Sequence, residues 1–184
     1  MNIVFATNNS NKIKEVQALL PSHIRLVSLE EIGCVEDIPE TQDTIEGNAI
    51  QKADYIKEHY GLDCFADDTG LEVMALDGAP GVYSARYAGP QRNADDNMNL
   101  VLSELASKDN RAARFKTVIA MHFQGNFITF EGICEGEITT KKTGTGGFDY
   151  DPIFQPKSYG KTFAACNNEP SNDNKFGIRR HFGS

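Results

Sequence analysis

Apolar and polar positions fall into blocks along the 184-residue chain. Ile3-Val4-Phe5-Ala6 is a continuous apolar run closed by polar Thr7-Asn8-Asn9-Ser10-Asn11, which predicts a buried strand over 2–6. Ile13, Val16, Leu19 and Leu20 then recur at helical spacing until Pro21 stops them. A second strand is expected over 26–28, and the polar stretch 37–44, with Pro39 inside it, reads as a loop. Ile45, Ala49, Ala53 and Ile56 mark one face of a helix reaching about Glu58. Short strands over 64–66 and 71–74 flank a turn at Asp67-Asp68-Thr69-Gly70. Asn93 would cap a helix running to about Leu105. The runs 115–123 and 127–134, parted by Gln124-Gly125-Asn126, predict a hairpin. Thr143-Gly144-Thr145-Gly146-Gly147 is a glycine-rich loop, and the chain after Ala165 is polar and weakly periodic. The order predicts an α/β protein with a mixed sheet in a single domain over 1–184, without internal repeats.

Composition narrows the classes. Hydrophobic residues at 40% and charged residues at 24% suit a soluble globular protein of one domain. A net charge of −8 leaves no basic excess to displace counterions from a nucleic-acid backbone, so nucleic acid is not an expected partner. A small polyanion, held by one or two basic groups and Mg²⁺ on carboxylates, remains compatible. Cys34, Cys64, Cys134 and Cys166 are widely spaced, without a C-x-x-C pair, which reads as four thiols in a reducing cytosol. No segment approaches the ~20 apolar residues of a membrane span, so a cytoplasmic protein with no membrane partner is expected.

Candidate chemistry sits at three places. Asp67 and Asp68, leaving an apolar strand, can hold a divalent cation or a water, or can simply satisfy an Asx-turn. Thr7 to Asn11 with Lys12 joins a strand to a helix; it can cradle a phosphate on backbone N–H groups, or form a capped turn with a solvated lysine. Glu40 and Glu46 are further possible ligands for a hard cation, or surface carboxylates. Phe148-Asp149-Tyr150-Asp151 can stack on and hydrogen-bond a base, or form a turn with core aromatics. The loop from Gly78 to Gly89 carries one cation, Arg86, among Tyr83 and Tyr87. His122 reads as a packed strand histidine.

The sequence of these motifs resembles the inosine triphosphate pyrophosphatase family, which removes non-canonical purine nucleoside triphosphates. Phe5 to Lys12, Glu40-Thr41, Gly47-Asn48-Ala49, Lys52-Ala53, Ala66-Asp67-Asp68-Thr69-Gly70-Leu71, Gly78 to Gly89, Ala113-Arg114-Phe115 and Gly146 to Phe154 carry the likeness. The resemblance implies an elongated α/β mixed sheet flanked by helices, with two lobes around a nucleotide cleft, in a homodimer. It implies Mg²⁺-dependent hydrolysis of ITP, dITP or XTP to the monophosphate and pyrophosphate. Thr7, Asn8, Asn9, Ser10, Asn11, Lys12 and Thr69 would hold the phosphates, and Glu40, Asp67 and Asp68 the metal. Asp68 would also accept the proton of the attacking water. Phe148, Asp149, Tyr150 and Asp151 would face the purine, with Lys175 beyond them. The family pattern is broken twice: Asp149 replaces a usual glycine, and the tail from about 166 lacks the Ser-His-Arg order. Relaxed base choice, or nucleotide binding without turnover, are the rival readings that these departures raise.

Overall fold

The structure, a computed structural model, describes residues 1–145 and 149–166. Its order is β1 (Asn2–Phe5), α1 (Ser10–Leu19), β2 (Arg25–Val27), α2 (Ile45–Tyr60), β3 (Cys64–Val73), α3 (Ala94–Glu104), β4 (Ala112–Phe123), β5 (Asn126–Ile138), β6 (Phe154–Pro156) and α4 (Phe163–Cys166). Short 3₁₀ turns occupy Glu30–Ile32, Met74–Leu76 and Gly81–Arg86. The strands form one mixed sheet in the order β2-β1-β3-β4-β5-β6. β1 is parallel to both β2 and β3, while β5 and β6 are antiparallel.

Local chemistry explains the boundaries. Asn9 caps α1, and Leu20 is extended (ψ 149°) because Pro21 disfavours helical geometry in the residue before it. Thr44 caps α2 by accepting from the Gly47 N–H, and Gly61 ends it in the left-handed region (φ 67°), where glycine is unstrained. Asn93 caps α3 as expected, with Asp95 and Asp96 at the positive end of its dipole. Gln124 (φ 49°) and Gly125 (φ 79°) form a two-residue turn whose twist matches the strands it joins, so the predicted hairpin is present and longer than expected.

One expectation needs correction. β3 is one continuous ten-residue strand through Asp67-Asp68-Thr69-Gly70, not two strands across a turn. Its central place in the sheet, between β1 and β4, keeps the backbone extended despite turn-forming residue types. The Gly78-to-Gly89 loop contains the 3₁₀ turn over Gly81–Arg86. β6 and α4 were not expected, because three- and four-residue elements leave no periodicity to read.

The chain divides into two compact units, one of Met1–Asp68 with Thr117–Glu131, the other of Thr69–Lys116 with the described residues from Gly132 onward. In the first, Ile3, Phe5, Val16, Leu26 and Phe65 form a buried cluster, with the Phe5 and Phe65 rings stacked at 4.3 Å. In the second, Leu71, Val73, Val101, Leu105, Phe115, Tyr150, Phe154 and Phe163 lie in one core. Arg111 fastens that unit through backbone carbonyls, donating to Ile138 (2.6 Å), Leu105 (3.2 Å) and Thr139 (2.7 Å). A side chain at Gly136 would collide with the Gln155 carbonyl and the Phe154 ring, so glycine permits β6 to lie against β5. Among the described residues, no helix is long and apolar enough to cross a membrane.

Candidate active site

β1 ends at Phe5, and its last tie to β3 runs from the Ala6 N–H to the Phe65 carbonyl (2.9 Å). β3 continues past that point, so Asp67 and Asp68 lie just beyond the carboxyl end of a parallel pair. The order β2-β1-β3-β4 also makes this a switch point, because the connection leaving β1 leads to β2 on one side and the one leaving β3 leads to β4 on the other; open α/β sheets place ligands there. Asp67 is only 3% exposed, and Asp68, the next residue in a strand's alternation, is half-buried.

The loop after β1 forms the capped turn, but its lysine departs from that reading. Asn9 Oδ1 accepts from the N–H groups of Asn11 and Lys12 (both 3.1 Å), and Thr7 Oγ1 accepts from Asn9 (3.2 Å). The capped turn is therefore real. The lysine is not solvated: Lys12 is 8% exposed, with Nζ 2.7 Å from Asp67 Oδ2. Helical placement on α1 turns it inward, while Asn8, Asn9, Ser10 and Asn11 are exposed and Thr7 is half-buried.

Glu40 lies in the loop before α2, and Lys52 on α2 holds its Oε1 at 2.6 Å. Burial by itself would push the Lys52 ammonium towards losing its proton. The carboxylates of Asp68, Glu40 and Asp67 outweigh that and hold it above the ordinary lysine value. Lys52 is thus the residue on which the three acids converge electrostatically. Sequence reading placed it in a motif but gave it no role; its helical offset of four from the buried Asn48 is the signal that could have done so. Glu46 is exposed in the first turn of α2, where the helix dipole accounts for it.

The remaining candidates belong to the second unit. Thr69 is half-buried in β3. Asp149 takes φ 43°, a conformation that favours glycine, which gives a physical reason for a glycine at this position. Tyr150 is 1% exposed and donates its hydroxyl to the Ser84 carbonyl (2.7 Å). Burial, with the Asp149 carboxylate and Tyr87 adding to it, pushes its phenol above the ordinary range, so it stays protonated. Asp151 is buried and its carbonyl accepts from Ala164 (3.2 Å). Arg86 sits over the Tyr83 ring at 5.4 Å. Phe148, Lys175 and the tail lie outside the described residues. His122, read as merely packed, is 2.6 Å from Asp54 Oδ1 in the first unit.

Among the described residues, no three His, Cys, Asp or Glu side chains are gathered as a ready metal cage. Mg²⁺ keeps waters and takes one or two carboxylates plus substrate oxygens. Glu40, Asp67 and Asp68 supply hard oxygen donors of the right kind.

An open α/β sheet whose switch point carries carboxylates and two inward lysines defines an α/β protein built around a site for a charged ligand. The profile of the Ham1 family matches residues 3–180, and the chain belongs to that family. It is 63% identical over 164 residues to the dITP/XTP pyrophosphatase of Flavobacterium johnsoniae, covering 89% of this chain and 85% of that one. Identity to the dITP/XTP pyrophosphatase of Christiangramia forsetii is 59% over 164 residues, covering 89% and 86%. Among solved structures, the Staphylococcus aureus Ham1 protein matches with a TM-score of 0.89 at 36% identity, covering 99% of this chain and 94% of that one.

Proposed function

We propose that the chain hydrolyses non-canonical purine nucleoside triphosphates, ITP, dITP and XTP, to the monophosphate and pyrophosphate. The observation that carries this reading is the pairing of Lys12 with Asp67, and of Lys52 with Glu40, beside Asp68 at the end of β1. A buried ion pair adds little net stability, because desolvation offsets its attraction, so the buried Lys12–Asp67 pair at a switch point favours a chemical role. The names of the relatives supply the substrate class.

In this reading Lys12 and the loop Thr7 to Asn11 bind the phosphates, and Thr69 donates to them. Asp68 orients the attacking water and accepts its proton. Lys52, kept protonated, holds Glu40 in place and offsets charge developing on the phosphate oxygens. Glu40, Asp67 and Asp68 would hold Mg²⁺, which when bound neutralises triphosphate charge and polarises water. Asp149, Tyr150 and Asp151 position the purine side. Relaxed base choice is the second reading, favoured by Asp149 in a glycine conformation, where a side chain stands in place of open backbone.

The protein acts as a cytoplasmic homodimer in this proposal. Its four cysteines are thiols and not disulfides, in keeping with a reducing compartment. β5 exposes Phe127, Ile128, Phe130 and Ile133 at 40–52%, a run of apolar side chains on one strand that a second copy can cover.

Chromatography of the products from ITP, XTP and ATP tests the activity. Monophosphate plus pyrophosphate is expected, with loss of turnover in excess chelator. Asp68→Asn should lower kcat by roughly 10²-fold or more, the scale of a lost general base. A diphosphate product, or near-wild-type turnover in Asp68→Asn, would remove the proposal.

A further inference from the structure

The loop that delivers Glu40 is fastened to α2 by side chains on one helical face. Asn48, Gln51, Lys52 and Tyr55 stand at spacings of three, four and seven, while Ala49, Ala53 and Ile56 fill the buried face. Asn48, 2% exposed, accepts from the Gln42 N–H at 2.9 Å. Gln51 makes a reciprocal pair: its Oε1 accepts from the Thr41 N–H, and its Nε2 donates to Thr41 Oγ1, both at 2.9 Å. Upstream, Glu36 Oε1 accepts from the hydroxyls of Tyr55 (3.0 Å) and Tyr60 (2.8 Å). At Gly47 a side chain would meet Gln42 Cβ at 2.8 Å and Thr44 Oγ1 at 2.9 Å, so the loop lies directly on the helix backbone.

We propose that Gln51 is a positioning residue for Glu40: with Asn48 and the Glu36–Tyr55–Tyr60 knot, it holds residues 36–42 in register on α2. This positioning role rests on the part proposed above for Glu40. A loop of seven residues with one tie could place a carboxylate only loosely, because its entropy is regained whenever that tie opens. Here Glu40 sits between ties on both sides, at Glu36 and at Thr41. The contact to Thr41, its immediate neighbour, fixes the carboxylate most directly. Misplacing a group that acts in the transition state lowers kcat more than it raises KM.

The test compares the full chain with Gln51→Ala and Thr41→Val, using Thr41→Ser, which keeps both bonds, as the rescue. Amide hydrogen exchange is read over 36–44 without nucleotide, and pyrophosphate release is followed in parallel. Gln51→Ala, which loses both bonds, should speed Thr41 and Gln42 exchange by about tenfold, the equivalent of one or two net hydrogen bonds, and Thr41→Val, which loses only the hydroxyl bond, should speed it less. For Gln51→Ala, kcat should fall by about tenfold with KM within about twofold, and Thr41→Ser should behave as wild type. Unchanged exchange in Gln51→Ala overturns the clamp. Faster exchange with wild-type kcat overturns its relevance to Glu40. Failure of the activity reading is separate, since it would appear in the wild-type chain itself.

Discussion

Lys52 is half-buried, and desolvation favours its neutral form, yet three acids keep it charged. Removing one of them should show the balance. In Glu40→Gln, followed by NMR of the lysine ammonium in chelator, the Lys52 pKa should fall below its wild-type value. The sign for stability follows from linkage: a raised lysine pKa contributes fully below the unfolded value, ~10.4, and is lost as pH rises through the folded value. The stability difference between wild type and Glu40→Gln should therefore be flat from about pH 7 to about pH 9 and shrink above that. An equal or higher Lys52 pKa in the variant would remove Glu40 as a source of the field. Legibility at this scale was uneven. The acids stood out because Asp67 and Asp68 are adjacent and follow an apolar run. Lys12 was visible as a cation beside a helix start, but its burial depends on Asp67, 55 residues away, which local pattern does not encode.

Elements longer than about two helical turns announced themselves, because their apolar spacing repeats enough to be counted. α1, α2, α3 and the hairpin all fall near their expected positions. β3 did not, since Asp-Asp-Thr-Gly is turn chemistry and only its neighbours in the sheet overrule it. Arg111 is another case of meaning conferred by neighbours: an unremarked arginine joins the end of α3 to the end of β5 through three carbonyls. Arg111→Ala leaves those acceptors without their charged donor, and a loss of about 2 kcal/mol or more is expected. The urea midpoint, read by a probe in the second unit, checks it; an unchanged midpoint would show that water replaces the guanidinium at no cost.

For the whole molecule, β5 presents the clearest consequence of fold on assembly. Residues 126–133 are all exposed, with four large apolar side chains and one charge, Glu131. Strands left this open invite pairing with another copy. Phe130→Lys should convert the proposed dimer to monomer, measured by light scattering across a dilution series with the wild type alongside. A wild type that is monomeric at every concentration would withdraw the assembly.

The lysines and acids at the end of β1 also bear on how a ligand first arrives. Three carboxylates face two ammonium groups there, on a chain of net charge −8. Over distances longer than the site itself, a polyphosphate approaching without metal meets repulsion, and capture begins only at short range. Its encounter rate should then rise, not fall, as salt screens that repulsion between about 20 and about 200 mM. Stopped-flow mixing of a fluorescent nucleoside triphosphate with the protein in chelator measures this. A rate that falls with salt would mean that Lys12 and Lys52, though largely enclosed, already steer the ligand from afar.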